Sequence, residues 1–344
     1  MLGNGSRAVA AKTLGFFTRL LDDASAGERY RLAREQIVHA EKLGLETAWV
    51  AQHHFDASEG GLPSPFPFLA HVATHTTHIC LGTGIITLPL ENPVRVAEDA
   101  AVVDLLSGGR LELGLGSGGN PSTFPAFGAE NARRGKIFDQ HLEVLLAALR
   151  GDNLGGDDNR LYPAASQLLD RIWLATFSAD GGHRAGQAGH GLMLSRTQPR
   201  SPAAPHASLA HIQHPIIDAY LKALPAGHAP RILASRSVIV ADDREEAMRF
   251  AEIGLCRFVR RAGKGERVPP GASVDELIAA FDVHIGTPDD VAESLRADST
   301  LDRVTDVVVQ VHSVDPPHPF ILRSIELFTH EVVPALGWAK TRWG

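Results

Sequence analysis

The sequence predicts an α/β fold, a (β/α)8 TIM barrel carrying insertions, and three observations lead there. An amphipathic helix, a glycine and a short apolar strand recur along the chain. The strands are nearly continuous apolar runs, as expected where both faces of a parallel sheet are covered. Eight strands can be counted: Thr13–Thr18, Thr47–Gln52, Ile79–Leu88, Arg110–Gly116, Arg171–Thr176, Gly191–Ser195, Arg231–Ala241 and Asp306–Val311. Eight such units close a barrel in about 250 residues.

The first helix is Glu28–Leu43, with Leu32, Ile37, Ala40 and Leu43 at roughly helical spacing. Gly44 ends it as a left-handed cap, and the second strand follows. The unit returns at Pro93–Ser107, Gly108-Gly109 and Arg110–Gly116, and again at Gly181–Ala188, Gly189 and Gly191–Ser195. The chain has 344 residues. That leaves a surplus of roughly 90 over the barrel minimum, which is assigned to insertions at 152–169, 199–229 and 262–283, segments rich in Gly, Pro, Asp and His. Residues 1–12 read as an extended or disordered tail, and 13–344 as a single domain. A doubly wound dinucleotide fold is the weaker reading. Gly114-Leu-Gly116-Ser-Gly118-Gly119 satisfies GxGxxG, but it lies on the fourth strand. Asn120–Pro125 opens no helix, and no acidic strand end follows about 20 residues later.

Composition narrows the function. The chain is 44% hydrophobic and 21% charged, an ordinary globular balance. A net charge of −7 without a long basic tract argues against nucleic acid as a partner. No stretch nears the ~18 apolar residues of a membrane span, so no membrane role is expected. The start lacks the apolar block of a secretion signal. Cys80 and Cys256 form no CxxC, and a reducing cytoplasm is the expected location.

Barrel chemistry gathers at the carboxyl ends of the strands. The first ends in Phe16-Phe17-Thr18, the second in Gln52-His53-His54-Phe55, and the third carries Gly82-Thr83-Gly84-Ile85. The paired histidines are the sharpest feature. Neighbours on a strand face opposite sides, so they do not readily share a metal, and no metal site is expected. One reading makes one histidine a core residue and the other solvent-facing. The other makes the pair functional, and its place at a strand end favours function. The fifth strand end, Thr176 to Gly182, reads as an anion site. Ser178 or Asp180 caps the next helix, and Gly181 and Gly182 leave its amides facing outward. An ordinary capped helix explains that segment equally well, and the Asp180 carboxylate would repel an anion unless it caps or turns away. Gly116, Ser117 and Gly118 permit close backbone approach and add a hydroxyl. Arg196, at the sixth strand end, either supplies charge or stacks on a planar ring, or it makes a surface ion pair. His71, His75 and His78 read as a solvated helix face. GxSxG, GxxxxGK and a glycosidase-like carboxylate pair are absent.

Several segments in order resemble the bacterial-luciferase-like flavin-dependent monooxygenases. They are Ala40 to Phe55 (AEKLGLETAWVAQHHF), Leu81 to Pro89 (LGTGIITLP), Pro93 to Gly116, Phe124 to Gly128 (FPAFG) and Ile285 to Asp290 (IGTPDD). The similarity runs from about Leu14 to Leu336. The resemblance implies a barrel that binds FMN at its carboxyl end. The FMN arrives reduced, supplied by a separate flavin reductase. The flavin takes O2 at its C4a carbon, giving a hydroperoxyflavin that oxygenates a small organic substrate. It implies a catalytic role for His53 with His54 as its neighbour. It places phosphate contacts at Gly116 to Gly118 and at Ser178 to Gly181, with Thr176 and Ala179 in the same strand end. Gln52 stands where luciferase has an acid. Ser117 stands where luciferase has an arginine, so phosphate charge must be met elsewhere, by Arg196 or a loop residue. A non-proline cis peptide is implied at Gly84–Ile85, and Phe17, Phe55 and Phe66 are candidates to wall the ring. The insertions are candidates for a lid. The family also implies a homodimer through the Ala- and Val-rich helices Pro65–His78 and Pro93–Ser107. Two other readings use the same barrel: a deazaflavin-dependent dehydrogenase, and a flavin-binding protein without turnover.

Overall fold

The structure, a computed structural model, describes residues 11–262, 268 and 271–338. Residues 1–10 of the expected tail lie outside the described residues, as do 263–267 and 269–270 of the segment expected as an insertion. The strands are β1 (Thr13–Thr18), β2 (Thr47–Val50), β3 (Cys80–Thr83), β4 (Ile86–Thr87), β5 (Leu111–Gly116), β6 (Ile172–Ala175), β7 (Gly191–Leu194), β8 (Ile232–Val240), β9 (Val283–Gly286) and β10 (Asp306–Gln310). The helices are α1 (Ala26–Lys42), α2 (Pro65–Ala73), α3 (Pro93–Leu106), α4 (Arg134–Arg150), α5 (Ala179–Gln187), α6 (Leu209–Ala223), α7 (Arg244–Ala262), α8 (Val274–Ala280), α9 (Pro288–Arg296) and α10 (His318–Leu327). Every strand pairing is parallel, and the order β1-β2-β3-β5-β6-β7-β8-β10 closes where β10 pairs with β1. The predicted TIM barrel is therefore the observed fold.

The glycines expected to end helices do so in the left-handed region: Gly44 has φ 87°, Gly108 69° and Gly189 69°. Asn92 caps α3 by accepting from the Val94 amide at 3.0 Å, with Pro93 opening the helix. The strand expected over Ile79–Leu88 divides into β3 and β4, separated by Gly84 and Ile85, whose peptide bond is cis as the resemblance implies. A second non-proline cis bond joins His312 to Ser313. The long strand β8 serves two sheets. Residues 232–237 pair with barrel neighbours, and Ser237–Val240 continue outward to pair with β9. With α7 and α8, β9 is an addition after the seventh barrel position, built on its own apolar cluster of Ile239, Phe250, Leu255, Phe281 and Val283. Of the other segments expected as insertions, 199–229 contains α6, and 152–169 is loop running into a 3-10 turn.

Strand alternation sorts the core. Leu14 and Phe16 of β1 face the large cluster between barrel and helices, while Phe17 joins the interior cluster of Trp49, Ala51, Trp173, Met193, Leu233 and Val308. Trp49 and Trp173 meet edge to face at 5.9 Å between centroids. Their ring nitrogens are satisfied by Thr47 Oγ1 at 3.0 Å and Glu112 Oε2 at 2.6 Å. Two large rings fit inside a barrel only where facing positions are bare. A Cβ on Gly82 would lie 2.2 Å from Trp49, and one on Gly191 would lie 2.3 Å from Trp173. This tryptophan layer is a floor, and the space above it opens at the carboxyl ends of the strands.

Candidate active site

Above that floor lies a cavity of about 500 Å³, within the range of small-molecule and cofactor sites. Its apolar wall comes from Phe17, Ile85, Ala175, Met193, Leu233 and Val308. Its polar wall includes Arg19, Gln52, His53, His54, Glu59, Thr176, Ser195, Arg196, Thr197, Ser235 and Gln310. Gly84 is a close approach, since a Cβ there would meet the Phe17 ring at 2.5 Å.

His53 leaves β2 and is tied back by its amide, which donates to Leu62 O at 2.9 Å. Its Nε2 lies 3.0 Å from Arg19 Nη2. Burial, and next the Arg19 guanidinium, pushes the imidazolium of His53 down to about 2, so the ring is neutral at physiological pH. The adjacent His54 lines the same cavity, and its ring meets Phe127 edge-on at 4.8 Å. Burial lowers its pKa too. Gln52 is fully employed. Its Nε2 donates to Glu91 Oε1 at 2.7 Å and Pro63 O at 3.2 Å, and its Oε1 accepts from the Thr87 amide at 2.7 Å. That amide side chain joins the ends of β2 and β4, a task for which an ionised acid lacks the donors.

The ends of β6 and β7 carry hydroxyls. Ser178 caps α5, accepting from the Gly181 amide at 3.1 Å. The Ser178 amide donates to Thr176 Oγ1 at 3.1 Å, and a Cβ on Gly181 would lie 1.9 Å from that same oxygen. Ser195 and Thr197 share a hydroxyl contact of 2.8 Å. Ala179 and Asp180 are exposed in the first turn of α5, and the Asp180 carboxylate does not cap it. Arg196 is buried and lines the cavity.

The end of β10 contributes groups that the sequence reading omitted. His312 Nδ1 lies 2.7 Å from Asp315 Oδ2. Burial pushes the Asp315 carboxyl up to about 7, against the pull of Arg19, Arg257 and Arg196. Gln310 Nε2 donates to Ser235 Oγ at 2.6 Å across the cavity wall. A small polar pocket lined by Glu59, Arg257, Phe258, His312 and Asp315 adjoins the main cavity through Glu59 and Phe258, which line both.

Residues 14–302 match the luciferase-like monooxygenase family model. The chain belongs to the luciferase-like monooxygenase family. It is 31% identical over 273 residues to 4-hydroxyprotoasukamycin monooxygenase of Streptomyces nodosus subsp. asukaensis, covering 74% of this chain and 73% of that one. It is 32% identical over 103 residues to the oxygenase component of the flavin-dependent trigonelline monooxygenase of Acinetobacter baylyi, covering 29% and 28%. Among solved structures, monooxygenase RslO1 of Streptomyces bottropensis superposes with a TM-score of 0.78 at 24% identity, covering 94% and 99% of the two chains. The oxygenating constituent of 3,6-diketocamphane monooxygenase from Pseudomonas putida, in complex with FMN, gives 0.73 at 20%, again covering 94% and 99%. An F420-dependent secondary alcohol dehydrogenase gives 0.68 at 15%, covering 95% and 99%. At these identities the three structures share the fold.

In this luciferase-like chain, eight of the expected site residues line one cavity: Phe17, His53, His54, Gly84, Ile85, Gly118, Thr176 and Arg196. Gly116 backs the Ile85 side chain, and Ser117 lies off the wall. Ser178, Ala179, Asp180 and Gly181 form the helix N-terminus beyond Thr176 rather than the wall itself. Phe55 is 74% exposed, and Phe66 belongs to the outer core, so neither walls the cavity. Arg19 was legible as the first polar residue after the β1 run Gly15-Phe-Phe-Thr18, and His312 and Asp315 as titratable groups three apart beyond β10. Among the described residues no helix is long and apolar enough to cross a membrane.

Proposed function

We propose that this protein is the oxygenase of a two-component system, using reduced FMN from a separate flavin reductase and O2 to oxygenate a small organic substrate in the cytoplasm. The observation that carries the reading is the neutral His53 ring on the wall of a strand-end cavity with one apolar side and a hydroxyl-bearing end. The residues fit the cofactor. Phe17, Gly84, Ile85, Ala175, Met193 and Leu233 offer an apolar wall for a tricyclic ring. Thr176, Ser195 and Thr197, with the first-turn amides of α5 and the cap Ser178, suit a phosphate, and Arg196 supplies positive charge. When bound, reduced FMN supplies the electrons that activate O2. The apolar wall excludes water from the reacting centre. With the cofactor bound, His53 would offer a hydrogen bond toward that centre without bringing a mobile charge, because its imidazole stays neutral.

The test is His53→Ala. FMN binding, read by fluorescence quenching, should be largely retained. Product formed per flavin oxidised should fall on the order of 10²-fold. Unchanged coupling would remove His53 from the chemistry. A second reading, a deazaflavin-dependent dehydrogenase, is favoured by the likeness to the F420-dependent fold neighbour. Parallel titrations with FMN and the deazaflavin separate the two. FMN binding without substrate-stimulated O2 uptake would instead mark a flavin carrier.

A further inference from the structure

We infer that Arg19 and the loop 56–61 clamp His53 as the neutral imidazole with its proton on Nδ1, making Arg19 the residue that positions the ring for the proposed reaction. A guanidinium has donors and no acceptor. At 3.0 Å from Arg19 Nη2, His53 Nε2 must therefore be the bare nitrogen, because a proton there would set two donors head to head. Nη2 has two hydrogens. One goes to the Glu59 carbonyl oxygen, and the other faces His53 Nε2, with Glu59 Oε2 farther away at 3.3 Å. The lone pair of Nε2 is thereby occupied, and Nδ1–H is the group left to act on a bound molecule.

The loop holds both partners in place. The Gly61 amide donates to Arg19 O at 3.0 Å, and Arg29 Nη1 donates to Ala57 O at 2.7 Å. Asp56 organises the turn, accepting from the Ser58 amide through its carboxylate at 2.8 Å and from the Glu59 amide through its carbonyl at 3.1 Å. Gly60 lies close against the imidazole, where a Cβ would come within 2.3 Å of His53 Cδ2 and 2.7 Å of Cγ. The ring is thus held at Nε2 by a cation and crowded at Cδ2 and Cγ by backbone. The charged or titratable groups acting on it are Arg19 from the end of β1, Asp56 and Glu59 from the loop, His54 beside it and His312 from the end of β10. Its low proton affinity agrees with the geometry but is not needed for it.

The catalytic consequence rests on the proposed function, whereas the tautomer does not. The experiment is long-range proton–nitrogen NMR of flavin-free protein with labelled histidine, the His53 signals being assigned by their loss in His53→Gln. We expect a protonated Nδ1 and a bare Nε2, unchanged from about pH 6 to 8. An Nε2–H tautomer or an imidazolium in the wild-type protein overturns the clamp, and that result needs no variant to fold. In Arg19→Met the ring should move to Nε2–H or a mixture, with coupled product falling on the order of 10²-fold. Arg19→Lys, which keeps a donor, should restore the Nδ1–H form and part of the turnover. A tautomer indifferent to both substitutions also overturns it. The expected spectra together with unchanged coupling in His53→Ala would uphold the clamp and remove the oxygenase role of His53.

Discussion

At the residue scale the strand-end cavity and the small pocket beside it hold groups displaced in opposite directions. Burial keeps the His53 ring neutral with its imidazolium down at about 2, and burial holds the Asp315 carboxyl up at about 7. Their contributions to stability have opposite signs. Asp315 binds its proton more tightly folded than unfolded, so its contribution is present in acid and is lost as pH rises from about 4 to 7. His53 binds its proton more weakly folded, so its contribution is present above about pH 6.5 and is lost as pH falls below that. Between these limits the two slopes oppose each other. Asp315→Asn removes one of them. We expect the stability of wild type relative to Asp315→Asn to fall by about 3 kcal/mol from pH 4 to pH 7, read by urea unfolding at each pH. Parallel curves would mean that Asp315 titrates alike folded and unfolded. Of these residues only His53 stood out in the sequence, because it is doubled and ends an apolar run. Asp315 and His312 lie past a strand end in Val-His-Ser-Val-Asp, where their three-residue spacing is a faint local mark. Their pairing depends on a backbone path that brings Nδ1 within 2.7 Å of Oδ2. Arg19 was visible as a charge, but its partner Glu59 lies 40 residues away and became one only on folding.

At the scale of elements the strands were legible because each is a short apolar run between turn residues, and both faces of each strand are buried. Three features were not. The break between β3 and β4 has no compositional mark, since Gly84-Ile85-Ile86 reads as continuous strand. β9 is four residues long and pairs only with the outer half of β8, and it was not among the eight strands counted. Beyond it Thr287 caps α9 in a reciprocal box with Asp290. The floor of the barrel was the third. Gly82 on β3 and Gly191 on β7 carry no local mark of their task, and closure shows that each makes room for a tryptophan on a neighbouring strand. Gly82→Ala tests that floor. Its new methyl would overlap the Trp49 ring, which is held edge-on by Trp173 and by its bond to Thr47. We expect a loss of about 1–3 kcal/mol in urea unfolding, with the denaturant slope unchanged because the same surface is exposed. A loss within ~0.5 kcal/mol, the range of ordinary surface substitutions, would mean that the interior is loosely packed.

At the scale of the whole molecule, the surface of α3 is the feature that a single chain leaves unexplained. One stripe of this helix runs at three- and four-residue steps from Arg95 through Glu98, Asp99 and Val102 to Leu105 and Leu106. Its first half is internally paired, Arg95 reaching Glu98 at 2.5 Å and Asp99 at 3.0 Å. Its second half is apolar and bare, with Val102 45%, Leu105 60% and Leu106 62% exposed. Fully burying side chains of this kind is worth about 1.5–3 kcal/mol each, which is the driving force available to an isologous helix contact. We therefore propose a homodimer through this face, in keeping with the Ala- and Val-rich character of Pro93–Ser107. The chain's net charge of −7 opposes association of two copies, and at physiological salt that repulsion is screened beyond about 8 Å. The two terms differ in their response to salt. An apolar contact between like-charged copies should tighten as salt is raised, whereas one held by ion pairs should loosen. Light scattering after size-exclusion should give twice the single-chain mass. Leu105→Glu with Leu106→Glu should give one chain's mass with unchanged helix content, because both side chains already face outward. A wild-type protein that stays at one chain's mass as its concentration rises through the micromolar range would leave α3 without a partner copy. A dimer that survives both substitutions would place the contact on another face.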